Sequence, residues 1–282
     1  IICLIAWHHV LGPVHTGFHV LFAAGLAYAM WDRYRAWRSG GRLLPLLDSR
    51  VPSAGGQFWS ASHAAGVDPW RVRVVGGLPV PAFTAGWLRP RIYLSASLDD
   101  QLSQEQLTAV IAHEAAHVAR RDPLRLSVLR FLARMVFWIP ALGRLAADAA
   151  NEAEIRADDA AAARSGPLVL ASAILELAKW NTGPARAADA TGRVGFHPTD
   201  MLDRRVRRLA GEPTPVESHI TRASLVAAAA ALMLAWASGV VVAHPLPEMS
   251  QYSHAEHCAH HSTPAMAHLL CGSEVRQALR DA

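Results

Sequence analysis

His113 and His117 are four residues apart with Glu114 between them, inside the stretch LSQEQLTAVIAHEAAHVARRD from Leu102 to Asp122. On a helix, positions four apart share a face, so both imidazoles can reach one metal ion. Glu114 lies one position round from His113. It can reach a water on that metal without being a ligand, as a general base must. Ile111, Ala112, Ala115 and Ala116 around these residues predict a buried helix, and two histidines and a glutamate are costly there unless liganded or paired. Ser103 and Gln106 are spaced as a capping box that starts this helix.

A catalytic zinc needs a third protein ligand and keeps its fourth position for water. Arg120 and Arg121 occupy the positions after the motif, so a third histidine close by is excluded. The run Asn151 to Ala163 (NEAEIRADDAAAA) predicts a second helix with Glu154 and Asp158 on one face. Glu154 is the expected ligand, and Asp158 is placed to accept a hydrogen bond from a ligand histidine and fix its tautomer. Glu152 is the rival ligand, but it faces away from Asp158.

Glu154-Ile-Arg-Ala-Asp158 resembles the ExxAD element of membrane-associated gluzincins, the group of the CAAX prenyl endopeptidase and HtpX-type proteases. A closer resemblance is to the BlaR/MecR-like antirepressor metallopeptidases. Phe83 to Leu94 is similar to that family's strand pair, His113 to Asp122 to its HExxHxxRxD stretch, and Phe137-Trp-Ile-Pro140 to its FWxxP turn. The resemblance covers about Val72 to Asp159. It implies Zn2+ as cofactor, His113, His117 and Glu154 as its ligands, and Glu114 as catalytic base. Downstream, His197-Pro to Leu209 resembles the HP segment of the prenyl-endopeptidase relatives, which offers His197 and Arg205 as active-site support. A basic anchor at the membrane surface explains these arginines equally well.

The surrounding elements read as mainly α with a small β-sheet, an α+β gluzincin-type domain joined to transmembrane helices. Arg71 to Val75 and Ile92 to Leu94 alternate like strands. Their sheet either offers an edge to an extended substrate or is a plain structural hairpin. Hydrophobic residues make up 52% of the 282 and charged ones only 18%, which excludes a disordered chain. Three cysteines cannot staple a chain of this length. A net charge of +4 rests almost wholly on arginine, because Lys179 is the sole lysine. These arginines flank apolar runs instead of forming a nucleic-acid motif, so no direct nucleic-acid binding is expected.

Ala223 to Ala243 carries no charge and has about the ~20 residues a bilayer-crossing helix needs. A second apolar run, Val14 to Trp31, precedes Arg33, Arg35, Arg38 and Arg42. Ile1 to Leu11 is too short to cross alone and is expected to be broken at Gly12-Pro13, as the stump of a truncated span. No positive segment precedes it, which disfavours a signal peptide. The positive-inside rule then puts residues 33–222 in the cytoplasm of a multi-pass inner-membrane protein.

The expected organisation is residues 1–32 as membrane segment, 33–222 as the zinc metallopeptidase domain, 223–243 as a transmembrane helix and 244–282 as an extracytoplasmic His/Cys tail. Leu124 to Leu145 is read as an amphipathic membrane-associated helix that either lies along the membrane or packs beside the zinc helices, turning at Pro140. A single crossing there would put His117 and Glu154 on opposite sides of the bilayer. The tail holds Cys258, Cys271 and several histidines but no SxxK acylation motif. It would form a disulfide or bind metal, alone or with His8, His9, His15 and His19.

Two main functions follow. One is an integral-membrane zinc endopeptidase acting on a protein or peptide substrate, such as a cytoplasmic transcriptional repressor. The other is a metal-responsive membrane sensor with a structural zinc site. A housekeeping membrane-protein protease is the third.

Overall fold

The computed structural model describes residues 2–46, 48–78, 80–86, 89–180, 198–214 and 218–243. The chain begins with a long helix, α1 (Ile2–Leu46), followed by β1 (Ser49–Arg50) and α2 (Gln57–Ala64). Three short strands come next: β2 (Val72–Val75), β3 (Ala82–Ala85) and β4 (Arg91–Ser95). Helices α3 (Leu98–Gln101), α4 (Gln104–Arg120), α5 (Asp122–Met135), α6 (Pro140–Ser165) and α7 (Pro167–Trp180) form the body, and α8 (Pro198–Leu209) and α9 (Arg222–Ala243) complete it. The architecture is mainly α with a small mixed sheet, as expected.

The sheet order is β1-β2-β4-β3. The two runs read as strands from the sequence are parallel neighbours, with Val72 opposite Ile92 and Val75 opposite Ser95. The hairpin is β3–β4, with Thr84 opposite Ile92, and it leaves β3 at the edge. Ile92 and Leu94 are fully buried and join Leu98, Leu107, Ile111 and Leu170 in one core. This packs the sheet and α7 around α4, whose capping box forms as read, with Ser103 Oγ accepting from Gln106 N and Gln106 Oε1 accepting from Ser103 N.

Two helix bounds differ from the sequence expectation. Leu124–Leu145 turns at Pro140, as read, but it is two helices and not one: α5 ends at Met135 and α6 starts at Pro140. Proline has no N–H to continue a helix and suits the first position of a new one. At the N-terminus, α1 runs through Gly12-Pro13 without a break and past Trp31 to Leu46. Pro13 removes one backbone donor, yet proline is tolerated inside apolar helices when the turn around it continues.

Among the described residues, two helices are long and apolar enough to cross a membrane: the Trp7–Arg38 portion of α1, and α9. They pack on each other. His15 Nδ1 lies 3.4 Å from Ser238 Oγ, and Ser238 is fully buried. Their other faces expose Leu21, Phe22, Met30, Val226, Leu232 and Trp236, which suits an apolar solvent. The tail readings lie outside the described residues.

Candidate metal centre

Ala153, Ala157 and Ala161 form a buried stripe at four-residue spacing on α6. Small side chains let α6 approach α4 closely, so Glu154 reaches the paired histidines. His113 Nε2 and His117 Nε2 are 3.2 Å apart. Glu154 Oε2 is 3.6 Å from the first, and Oε1 is 3.5 Å from the second. Donors about 2.0–2.2 Å from a tetrahedral zinc lie about 3.3–3.6 Å from one another, so these spacings fit a single ion. Among the described residues this is the one group of three or more His, Cys, Asp or Glu side chains arranged to hold a metal.

Each histidine has a carboxylate behind it. His117 Nδ1 is 2.8 Å from Asp122 Oδ2, and Arg120 Nη2 is 3.2 Å from the same oxygen. Arg120 also donates to the Ala153 carbonyl at 3.1 Å, joining the end of α4 to α6. His113 Nδ1 lies 3.0 Å from Asp158 Oδ1, close but outside good hydrogen-bond alignment. Arg205 grips Asp158 with two hydrogen bonds, Nε to Oδ2 at 2.8 Å and Nη2 to Oδ1 at 2.6 Å, and its Nη1 is 3.2 Å from Glu154 Oε2. A carboxylate on each Nδ1 favours the tautomer whose bare Nε2 faces the shared point. Two such lone pairs 3.2 Å apart repel unless a cation or proton lies between them, so the donor set suits a metal.

The electrostatics agree. Burial disfavours a charged His113, but Asp158 and Glu154 outweigh it and lift its pKa to about 9. Burial would raise Glu154, yet His113 and Arg205 bring it down to about 2. Asp158 is lowered against its own burial by His113 and Arg205. Arg205 is raised despite burial, chiefly by Asp158. The pocket is therefore electron-rich and built around positive charge.

Glu114 is also held. Thr84 Oγ1 on β3 donates to Glu114 Oε2 at 2.7 Å. Both residues line an open cavity of about 1010 Å³, shared with His113, His117, Glu154 and Arg205. The structure thus brings together His113, Glu114, His117, Glu154, Asp158 and Arg205, and it turns the rival Glu152 outward to Arg156 at 2.7 Å. His197 lies outside the described residues.

Sequence reasoning assigned no role to Thr84 or Asp122. Thr84 carries no local signal. Asp122 had one: an aspartate before a proline, directly after the helix, marks a helix start. Its approach to His117 depends on Arg121, whose φ of 54° and ψ of 39° form a left-handed turn. Sequence reading expects glycine at such a position.

A family model described as BlaR1 peptidase M56 matches residues 16–167, more than half of the chain, and the chain belongs to that family of membrane metallopeptidases. Among curated proteins it is similar to Protease HtpX homolog 2 of Methanosarcina mazei, 28% identical over 114 residues, covering 40% of this chain and 38% of that protein. It is also similar to Protease HtpX homolog of Bordetella petrii, 28% identical over 116 residues, covering 36% of this chain and 38% of that protein. The chain thus aligns with well under half the length of these relatives.

Proposed function

We propose that this member of the M56 family is a zinc-dependent endopeptidase, with His113, His117 and Glu154 as metal ligands. The observation that carries the reading is a set of three protein donors at tetrahedral spacing beside an open cavity. A structural zinc is normally enclosed by four protein ligands, whereas a catalytic one keeps a position open. This favours a peptidase over a sensor with a structural zinc. When bound, zinc would act as a Lewis acid on the scissile carbonyl and acidify a water.

Glu114 takes the proton of the attacking water and passes it to the leaving amine. The Thr84 hydroxyl occupies one carboxylate oxygen of Glu114 and so orients the other. Asp158 and Asp122 hold the two imidazoles, and Arg205 holds Asp158. The outer edge of β3 runs along the cavity and can pair with an extended peptide through backbone hydrogen bonds.

The substrate is a protein or peptide, and the resemblance to antirepressor metallopeptidases supports signalling to a repressor by cleavage. The HtpX names of the relatives support a housekeeping role. Residues 33–222 form the peptidase domain on the cytoplasmic side, a reading supported by Arg33, Arg35 and Arg38 at the end of the first span and Arg222 at the start of the second. Glu114→Gln decides the chemistry. Proteolysis should fall by at least about 100-fold with bound zinc unchanged by elemental analysis, and activity that survives would sink the reading.

A further inference from the structure

The α5–α6 hairpin carries Asp122 and Glu154 at its two ends, and its contacts with the two long apolar helices fix where the turn between them lies. α5 runs antiparallel to α1. Arg33 donates to Ser127 Oγ at 3.0 Å near the middle of α5. At its far end, a Cβ on Gly25 would fall into the Met135 carbonyl, so only glycine allows this approach. Next to it, the rings of Phe22 and Trp138 meet edge-on with centroids 6.4 Å apart. Gly25 lies eight residues inside Arg33 on α1, which is roughly 12 Å along a helix. Half of a hydrocarbon core is about 15 Å. If Arg33 marks the membrane surface, the turn at 136–139 reaches nearly the bilayer centre.

The return leg agrees. Arg144 bonds to Thr221, Asp148 accepts from Ser218 Oγ at 2.6 Å, and the His219 N–H also donates to Asp148, at 2.8 Å. These partners lie just before the start of α9, so α6 is back at the surface within about two turns of Pro140. The charge nearest the turn on α5 also leads outward. Arg134 pairs with Asp32 and lies over the Tyr28 ring, 5.9 Å from its centroid. A long side chain can thus sit deep and keep its charge near the surface. Meanwhile Phe137 is 53% exposed, and Val128, Leu132 and Leu145 are exposed on the two legs. At the turn, Val136 N, Ile139 N and Leu142 N donate to Leu132 O, Val136 O and Ile139 O, and Pro140 has no donor. Backbone at bilayer depth must be satisfied in this way.

We infer that α5 and α6 form a re-entrant hairpin that enters the half of the bilayer next to the peptidase domain, with Phe137 at its lipid-facing tip. The inference rests on α1 crossing the membrane. It has a consequence for the site, because the hairpin begins at Asp122, which holds His117, and ends in the helix that carries Glu154.

The test uses the 282-residue chain with Cys3, Cys258 and Cys271 changed to Ser, reconstituted in phosphatidylcholine–phosphatidylglycerol vesicles. Spin labels are attached at Phe137→Cys, Leu132→Cys, Val128→Cys and Leu145→Cys, with Leu21→Cys as span control and Trp70→Cys as water control. Oxygen and a nickel chelate are the relaxing agents, and zinc content checks that each variant is folded. The Phe137 label should match Leu21, with an oxygen-to-nickel ratio several-fold above that at Trp70, and the ratio should fall through Leu132 to Val128. A Phe137 label open to nickel, or shielded from both agents as beneath a protein partner, overturns the inference when Leu21 reads as lipid. If Leu21 is also open to nickel, α1 does not span and the inference falls with that premise.

Discussion

The two histidines of the site are supported in the same way but from different distances along the chain. His117 leans on Asp122, five residues on, and on Arg120, both at the α4–α5 corner. His113 leans on Asp158 of α6, which is held by Arg205 of α8. Both arrangements run histidine, aspartate, arginine. The first can form as soon as one helix ends, whereas the second needs three helices docked together. The difference suggests a division of labour in which the local support sets the imidazole's direction and the remote one also ties the site to the fold.

Asp158→Asn should have the largest effect. It leaves the buried Arg205 facing an amide, and breaking a buried pair costs about 3 kcal/mol, measurable by chemical denaturation. It should also move the pH dependence of zinc binding. His113 is raised to about 9, so zinc must displace its proton and affinity should climb with pH until about 9. Without the Asp158 charge the raised pKa falls, and the climb should level off at lower pH in a competition titration. Asp122→Asn should weaken zinc about 10- to 100-fold with much less loss of stability. Equal stability losses in the two variants would dissolve the distinction between local and remote support.

Arg121→Gly should have the smallest effect. Glycine adopts the left-handed turn without the Cβ penalty, but it also loosens the unfolded chain. A net gain of about 0.5 kcal/mol is expected in thermal unfolding, with zinc affinity kept. Arg121→Val should do the reverse and weaken zinc through Asp122, because a β-branched residue is a poor fit at φ 54°. If Arg121→Val bound zinc normally, the corner would not be what positions Asp122.

Among the site residues, legibility followed distance along the chain. His113, Glu114 and His117 were readable because a single helix fixes their spacing, and Glu154 and Asp158 because a second helix repeats the pattern. Asp122 escaped notice because its turn is made by arginine, a residue that does not announce a left-handed conformation. Thr84 escaped because a threonine in a short strand gives no sign that it faces a glutamate thirty residues away. Over Leu124–Leu145 the turn at Pro140 was legible from the proline, but apolar periodicity carries on through 136–139 and hides that the segment is two helices.

The sequence alone determined the two metal-facing helices, the capping box, the two apolar helices and the mainly α composition. All of these arise from periodicity, charge or contacts within a few residues. Tertiary structure decided which carboxylate backs which histidine, how Glu114 is oriented, and where the α5–α6 hairpin lies against α1. Those depend on close packing between distant segments, through the alanine stripe of α6 and the bare face of Gly25, and no local pattern encodes which partner a small residue will meet.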